Sequence, residues 1–168
     1  TGLKDVIADI LSNLADIALK RGDSESSLGM HRKALELFIE LKDAVGAARS
    51  YNNMGYILRR SGDNTKALDA YSEVESILSE DKSKSLIPAQ IVLARALLDL
   101  GHQDRARDHA LSAYEQSENS DDTILHARAR AVLGRYYAKT GDSDLALHHY
   151  TDALETMGEA GDPLALVE

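Results

Sequence analysis

The sequence predicts an all-α solenoid of four antiparallel helix hairpins, about eight helices, and three observations predict it. Leu and Ala, 24 and 23 of the 168 residues, dominate a chain with 5% aromatics and two prolines. These are strong helix formers, and β-favouring residues are scarce. Four short turns, Arg21-Gly22-Asp23, Ser61-Gly62-Asp63, Leu100-Gly101-His102 and Thr140-Gly141-Asp142, set their glycines 40, 39 and 40 residues apart. Small residues recur in register with those turns, as closely approaching helices require.

The first hairpin shows the helical period in Ile7, Ile10/Leu11, Leu14 and Ala18, then in Leu28, His31, Leu35, Phe38 and Leu41. Gly22 stands between the two halves, where a helix ends on a residue of positive φ, and Asp23 opens the return helix. Asp43 opens the second hairpin, which turns at Gly62. A polar stretch over 79–85 predicts a solvated connector to the third hairpin, which turns at Gly101. A second such stretch, 117–122, leads to the fourth, which turns at Gly141. The repeats are placed at about 3–42, 43–82, 83–120 and 121–161. Asp162-Pro163, an N-cap followed by Pro, opens a fifth over 162–168. With Thr1-Gly2 at the start and no initiator Met, the expectation is a single repeat domain from a longer chain. The apolar face of 145–157 is then expected to be covered by Leu164 and Leu166 or by a neighbouring chain.

The small residues are Ala15, Ser27, Ala34; Gly55, Ala67, Val74; Ala94, Ala106, Ala113; and Gly134, Ala146, Ala153. Within every set the gaps are 12 and 7, and only Val74 is larger than Gly, Ala or Ser. Small side chains at these offsets let two antiparallel helices cross closely.

These positions resemble the tetratricopeptide repeat family, whose pattern has Gly or Ala at repeat position 8, Ala at 20 and 27, and aromatics at 4, 11 and 24. The second repeat fits through Tyr51, Gly55, Ala67 and Tyr71, and the fourth through Gly134, Tyr137, Ala146, Tyr150 and Ala153. In the first and third, Leu11 and Gln90 stand where an aromatic is usual, and His31 and Ala110 replace the later one. The resemblance implies a right-handed superhelix. The spacing of 39 to 40, against the usual 34, implies longer helices, as in kinesin light chains and bacterial signalling proteins.

Charge and motifs then limit function. With 28 acidic and 19 basic residues the net charge is −9, which argues against a nucleic-acid or anionic-membrane binder. No apolar run reaches the ~18 residues needed to span a bilayer, and a cytoplasmic location is expected. There is no Cys, hence no disulfide and no thiolate metal site. The six His residues include no i, i+4 pair of the metal-binding kind, and no phosphate-binding glycine loop or nucleophile elbow occurs. No catalytic residue, metal or cofactor is expected, and the chain reads as a non-enzymatic scaffold.

The expected working surface is the concave face, formed by the first helix of each pair. Repeat positions 2, 5, 6, 9, 12 and 13 lie within about 120° of helical arc. In the first repeat these include the acids Asp9 and Asp16, with Lys20 and Asn13. In the second they are Arg49, Asn52, Asn53, Tyr56, Arg59 and Arg60. The third contributes Arg95 and Asp99, and the fourth Arg128, Arg135 and Lys139. Repeats two to four thus carry one acid against seven bases. The candidate partner-binding residues are Asn13, Arg49, Asn52, Asn53, Tyr56, Arg59, Arg95, Arg128 and Arg135. A wall of one sign focuses field, so an acidic peptide is the expected ligand, with Asn amides able to bond its main chain.

The resemblance also implies a comparison with the family's carboxylate clamp for chaperone tails. That clamp wants Lys or Arg where Ser12, Pro88 and Val92 stand here, or Asn52, Arg128 and Val132 if the register begins one repeat later; neither register fits, so a chaperone-tail receptor is not expected. The broader expectation is the regulatory or sensory input region of a larger bacterial signalling protein, with self-association through the exposed last repeat. The alternative is part of a diguanylate cyclase or histidine kinase with its catalytic domain elsewhere, or the peptide-sensing region of a transcription regulator.

Overall fold

The computed structural model describes residues 2–81, 83–118 and 120–159, and among them every regular element is helical. In chain order these are α1 (Gly2–Lys20), α2 (Ser24–Leu41), α3 (Ala44–Arg60), α4 (Asn64–Glu80), α5 (Ile87–Asp99), α6 (Gln103–Glu118), α7 (Thr123–Thr140) and α8 (Ser143–Glu159). One 3₁₀ turn, Lys84–Leu86, precedes α5. The chain divides into two compact units, Thr1–Lys82 and Ser83–Glu168.

The turns form as their residues dictate. Gly22, Gly62, Gly101 and Gly141 all have φ between +84° and +91°. A Cβ at any of them would meet nothing within 4 Å, so Gly is needed for conformation and not for room. The next residue's N–H reaches back to close the outgoing helix, as from Asp23 to the Ala18 carbonyl and from Asp142 to that of Tyr137. Asp23, Asp43, Asp63, Asp122 and Asp142 each accept a backbone N–H three residues on, at 2.9–3.2 Å, and so start α2, α3, α4, α7 and α8. Pro88 lies in the first turn of α5, where a missing N–H costs nothing.

In the first unit α1 pairs with α2, α3 with α4, and α2 packs on α3. Ala8, Ala34, Leu35, Phe38, Ala47 and Met54 form its core. In the second unit α5 pairs with α6 and α7 with α8, while α7 also packs against α5 and α6. Ile87, Ile91, Ala94, Ala110, Ala113, Ala129, Val132 and Leu133 fill one core, and Ala127, Ala153 and Met157 a second. All twelve small register positions are buried. The crossings trade volume: a Cβ on Gly55 would sit 2.5 Å from the Tyr71 ring and one on Gly134 would sit 3.0 Å from that of Tyr150. Where the first residue is Ala, at 15 and 94, the partner position holds His31 or Ala110 instead.

Three expectations change. The α4 helix continues through Ser79 and Glu80, and α6 through Ser117, so both connectors are shorter than their polar composition suggests. Ser117 is not solvated at all: it is buried, donates to the Tyr114 carbonyl at 2.8 Å, and lies 3.0 Å from His126 Nδ1. A hydroxyl bonded back to its own helix can be buried at small cost. On α1, Ile7, Ile10 and Leu14 are exposed, and Ala8, Ser12 and Ala15 face the hairpin instead. The small residues win because α2 approaches too closely for branched chains. Asp162-Pro163, Leu164 and Leu166 lie outside the described residues.

Candidate partner-binding surface

Within each unit the first helices of neighbouring hairpins adjoin along the faces that carry the candidate residues. In the first unit Arg49 on α3 donates to Asp9 on α1 at 2.9 Å, and its guanidinium carbon lies 5.5 Å from the centre of the Phe38 ring. In the second, Arg135 on α7 donates to Asp99 on α5 at 2.6 Å. Lys139 reaches the Leu98 carbonyl at 3.1 Å and Asp99 at 3.5 Å.

The first unit brings together Arg59, Arg60 and Tyr56 at the C-terminal end of α3. Both guanidinium carbons sit 5.7 Å from the Tyr56 ring centre, a cation–π arrangement on an exposed ring. Arg60 also donates to the Tyr56 hydroxyl at 3.4 Å. Asn13 is exposed on α1 and Asn53 half-buried on α3. Asn52 is only 3% exposed, so its amide belongs to the interior rather than to an open surface.

The second unit brings Arg95, Arg128 and Arg135 into one field. Partial burial holds the Arg95 guanidinium below its ordinary value, and the positive charges of Arg135 and Arg128 push the same way against Asp99. Like charges that depress the ionisation of Arg95 lie close enough to it to act with it on an anion. Asp9 and Asp99 answer part of the positive charge. Such surface pairs are worth about 0–1 kcal/mol each, so an incoming carboxylate can replace them at little cost.

A polar cluster that the sequence did not disclose lies between α6, α7 and α8. Arg130 donates to Asp152 at 2.8 Å and to the Tyr114 hydroxyl at 3.0 Å. The rings of Tyr137 and His149 stack at 5.3 Å, and those of Tyr114 and His126 lie 5.0 Å apart. Arg130 occupies repeat position 4, where the family pattern has an aromatic, and its stacking on Tyr114 at 5.4 Å serves in place of one. The only sequence signal was a charged residue on a packing position. Among the described residues no group of three metal-ligating side chains assembles, and no helix is long and apolar enough to cross a membrane.

Comparison with known proteins agrees with this architecture. Outer dynein arm-docking complex subunit 4 of Homo sapiens is 22% identical over 151 residues, which is 90% of this chain and 22% of that protein. The Mus musculus protein is 21% identical, over 90% of this chain and 24% of its own length. The chain therefore spans less than a quarter of these relatives. Among solved structures, BtubC (BKLC) from P. vanneervenii matches with a TM-score of 0.73 at 18% identity, over 94% of this chain and 66% of that one. A kinesin light chain-like protein of Podosopora anserina with nearly identical TPR-like repeats also scores 0.73, at 13% identity, over 93% and 77% of the two chains. At such identities the likeness is one of fold. Two family models, both of the tetratricopeptide repeat, match residues 6–80 and residues 87–111 and 127–150. With its glycine turns, its buried small-residue register and these matches, the chain belongs to the tetratricopeptide repeat family.

Proposed function

We propose that this protein-binding scaffold takes an acidic peptide or tail on the faces of α5 and α7 in the second unit. The observation that carries the reading is the arginine cluster Arg95, Arg128 and Arg135, set in a protein of net charge −9. Guanidinium groups give charge-assisted, bidentate bonds to carboxylates, and a local field of one sign steers the encounter. By itself the first unit offers similar chemistry through Arg49, Arg59 and Tyr56, with Asn13 and Asn53. A repeat architecture offers surface and no reaction chemistry, which fits a scaffold. The curated relatives carry the name of a docking complex subunit, which fits the same role. We also read the chain as the input region of a larger signalling protein. The support is the likeness of 41–63 to repeats of such proteins, and the flanking sequence tests it.

Binding of acidic and basic peptides of matched length, measured at low and physiological salt, tests the reading. Acidic peptides should bind preferentially, and more weakly as the screening length falls to about 8 Å. Arg95→Glu should weaken that binding by about 1–3 kcal/mol with the fold intact. A preference for basic peptides, or indifference to both salt and Arg95→Glu, would overturn it.

A further inference from the structure

The first helices of the four hairpins end alike except for one. Repeat position 13 holds Lys20 on α1, Arg60 on α3 and Lys139 on α7, but Asp99 on α5. A cation suits the end of a helix, where unpaired carbonyls present partial negative charge, and an aspartate there is mildly unfavourable. Local helix stability therefore does not explain the acid. Its contacts run across to α7 instead. Asp99 Oδ1 accepts from Arg135 at 2.6 Å and from Lys139 at 3.5 Å, and Lys139 also donates to the Leu98 carbonyl at 3.1 Å. Between these cations the Asp99 side chain is only 22% exposed.

These contacts divide the basic face along its length. Asp99 near the end of α5 meets Arg135 and Lys139 near the end of α7, so the two helices run in the same direction. Arg128 stands two turns before Arg135, about 10 Å along α7, and Arg95 stands one turn before Asp99 on α5. Asp99 is the one acidic residue in either helix. At the far end of the face, two cations thus already hold a carboxylate. Toward the start of both helices, Arg95 and Arg128 stand on stretches that carry no acid.

We infer that, on a face that takes acidic peptides as proposed above, Asp99 is the residue that determines specificity. It occupies the place of a ligand carboxylate between Arg135 and Lys139 and confines the ligand's acidic groups to the Arg95–Arg128 end. A peptide carboxylate that nears Arg135 must replace one already there, and Asp99 repels it. One that nears Arg128 meets no such competitor on α5 or α7. The face therefore selects peptides whose acids cluster at one end over peptides acidic throughout.

Calorimetric titration of the chain of residues 1–168 with an N-acetylated hexaglutamate peptide tests this, with hexaglutamine as the uncharged control. Asp99→Asn should tighten binding about three- to tenfold. Glu115→Gln, which removes one charge from the exposed surface of α6, should tighten it distinctly less. Arg135→Gln should cost at least about threefold more in the Asp99→Asn background than in the parent, because only there is Arg135 released to the peptide. The lost contacts are surface ion pairs, so circular dichroism and melting should stay as in the parent. Suppose hexaglutamate binds and Arg95→Glu weakens it, but Asp99→Asn gains no more than Glu115→Gln, or Arg135→Gln costs the same in both backgrounds. Either result would overturn the role of Asp99 and leave the acidic-peptide reading standing. Hexaglutamate that binds neither the parent nor Asp99→Asn would overturn both.

Discussion

The second and fourth hairpins make the same crossing, Gly55 against Tyr71 and Gly134 against Tyr150, and enclose it differently. Tyr71 is 1% exposed and Tyr150 37%. The missing Cβ leaves the Tyr71 ring 2.5 Å from where that atom would be, and the Tyr150 ring 3.0 Å. A motif shared to the residue therefore carries two different loads. An enclosed ring cannot move when its neighbour grows, whereas a ring with one open side can swing outward.

The widest separation should come from deleting the rings. Tyr71→Ala is expected to cost about 3–5 kcal/mol, as for large aromatic deletions from cores, and Tyr150→Ala less than half as much. Chemical denaturation of the two variants measures this, and equal losses would mean that enclosure does not set the load. Next, Gly55→Ala should cost about 1–3 kcal/mol through overpacking against Tyr71.

Much of this contrast was legible in the chain. The 12-and-7 register marks Gly55 and Gly134 as crossing points, and the resemblance to the family pattern singles out Tyr71 and Tyr150. The difference in their enclosure was not legible, because accessible surface depends on elements remote in sequence. The arginine surface behaves likewise. Helical spacing put Arg95, Arg128 and Arg135 on comparable faces, but the pairing of Arg135 with Asp99 and of Arg49 with Asp9 appears only in the fold.

A smaller effect should separate the first hairpin, where His31 stands at the tyrosine position. His31 is fully buried, 3.5 Å from Asp16. Burial lowers its pKa, Arg49 adds to the lowering, and Asp16 opposes it. His126 is lowered by burial and by Arg130 against Glu118, and His149 by burial, His148 and Arg130 against Asp152. Each folded-state pKa lies below the unfolded value near 6.5, so unfolded chains bind more protons in that window. Stability should be full above about pH 6.5 and decline as pH falls toward the folded values. Melting temperatures at pH 7.5 and 5.5 check the sign, the neutral variant His31→Gln should lessen the drop, and a rise on acidification would refute it. The smallest change is expected for Gly134→Ala. Its contact with the half-open Tyr150 ring can relax, and the helix gains about 0.5–1 kcal/mol from replacing Gly, so the net shift should lie near zero.

The sequence by itself determined the register: four glycine turns, five aspartate caps and twelve small crossing residues. These are local properties, since positive φ, an acceptor three residues before an N–H, and a side chain short enough for a close crossing are each written in one residue type. Only the tertiary structure decided which apolar faces are covered. Ile7, Ile10 and Leu14 read as core and lie open, while Ser117 and Asn52 read as polar surface and lie inside. Periodicity places residues on a common face of a helix, but whether that face meets a neighbour is settled by how the helices pack.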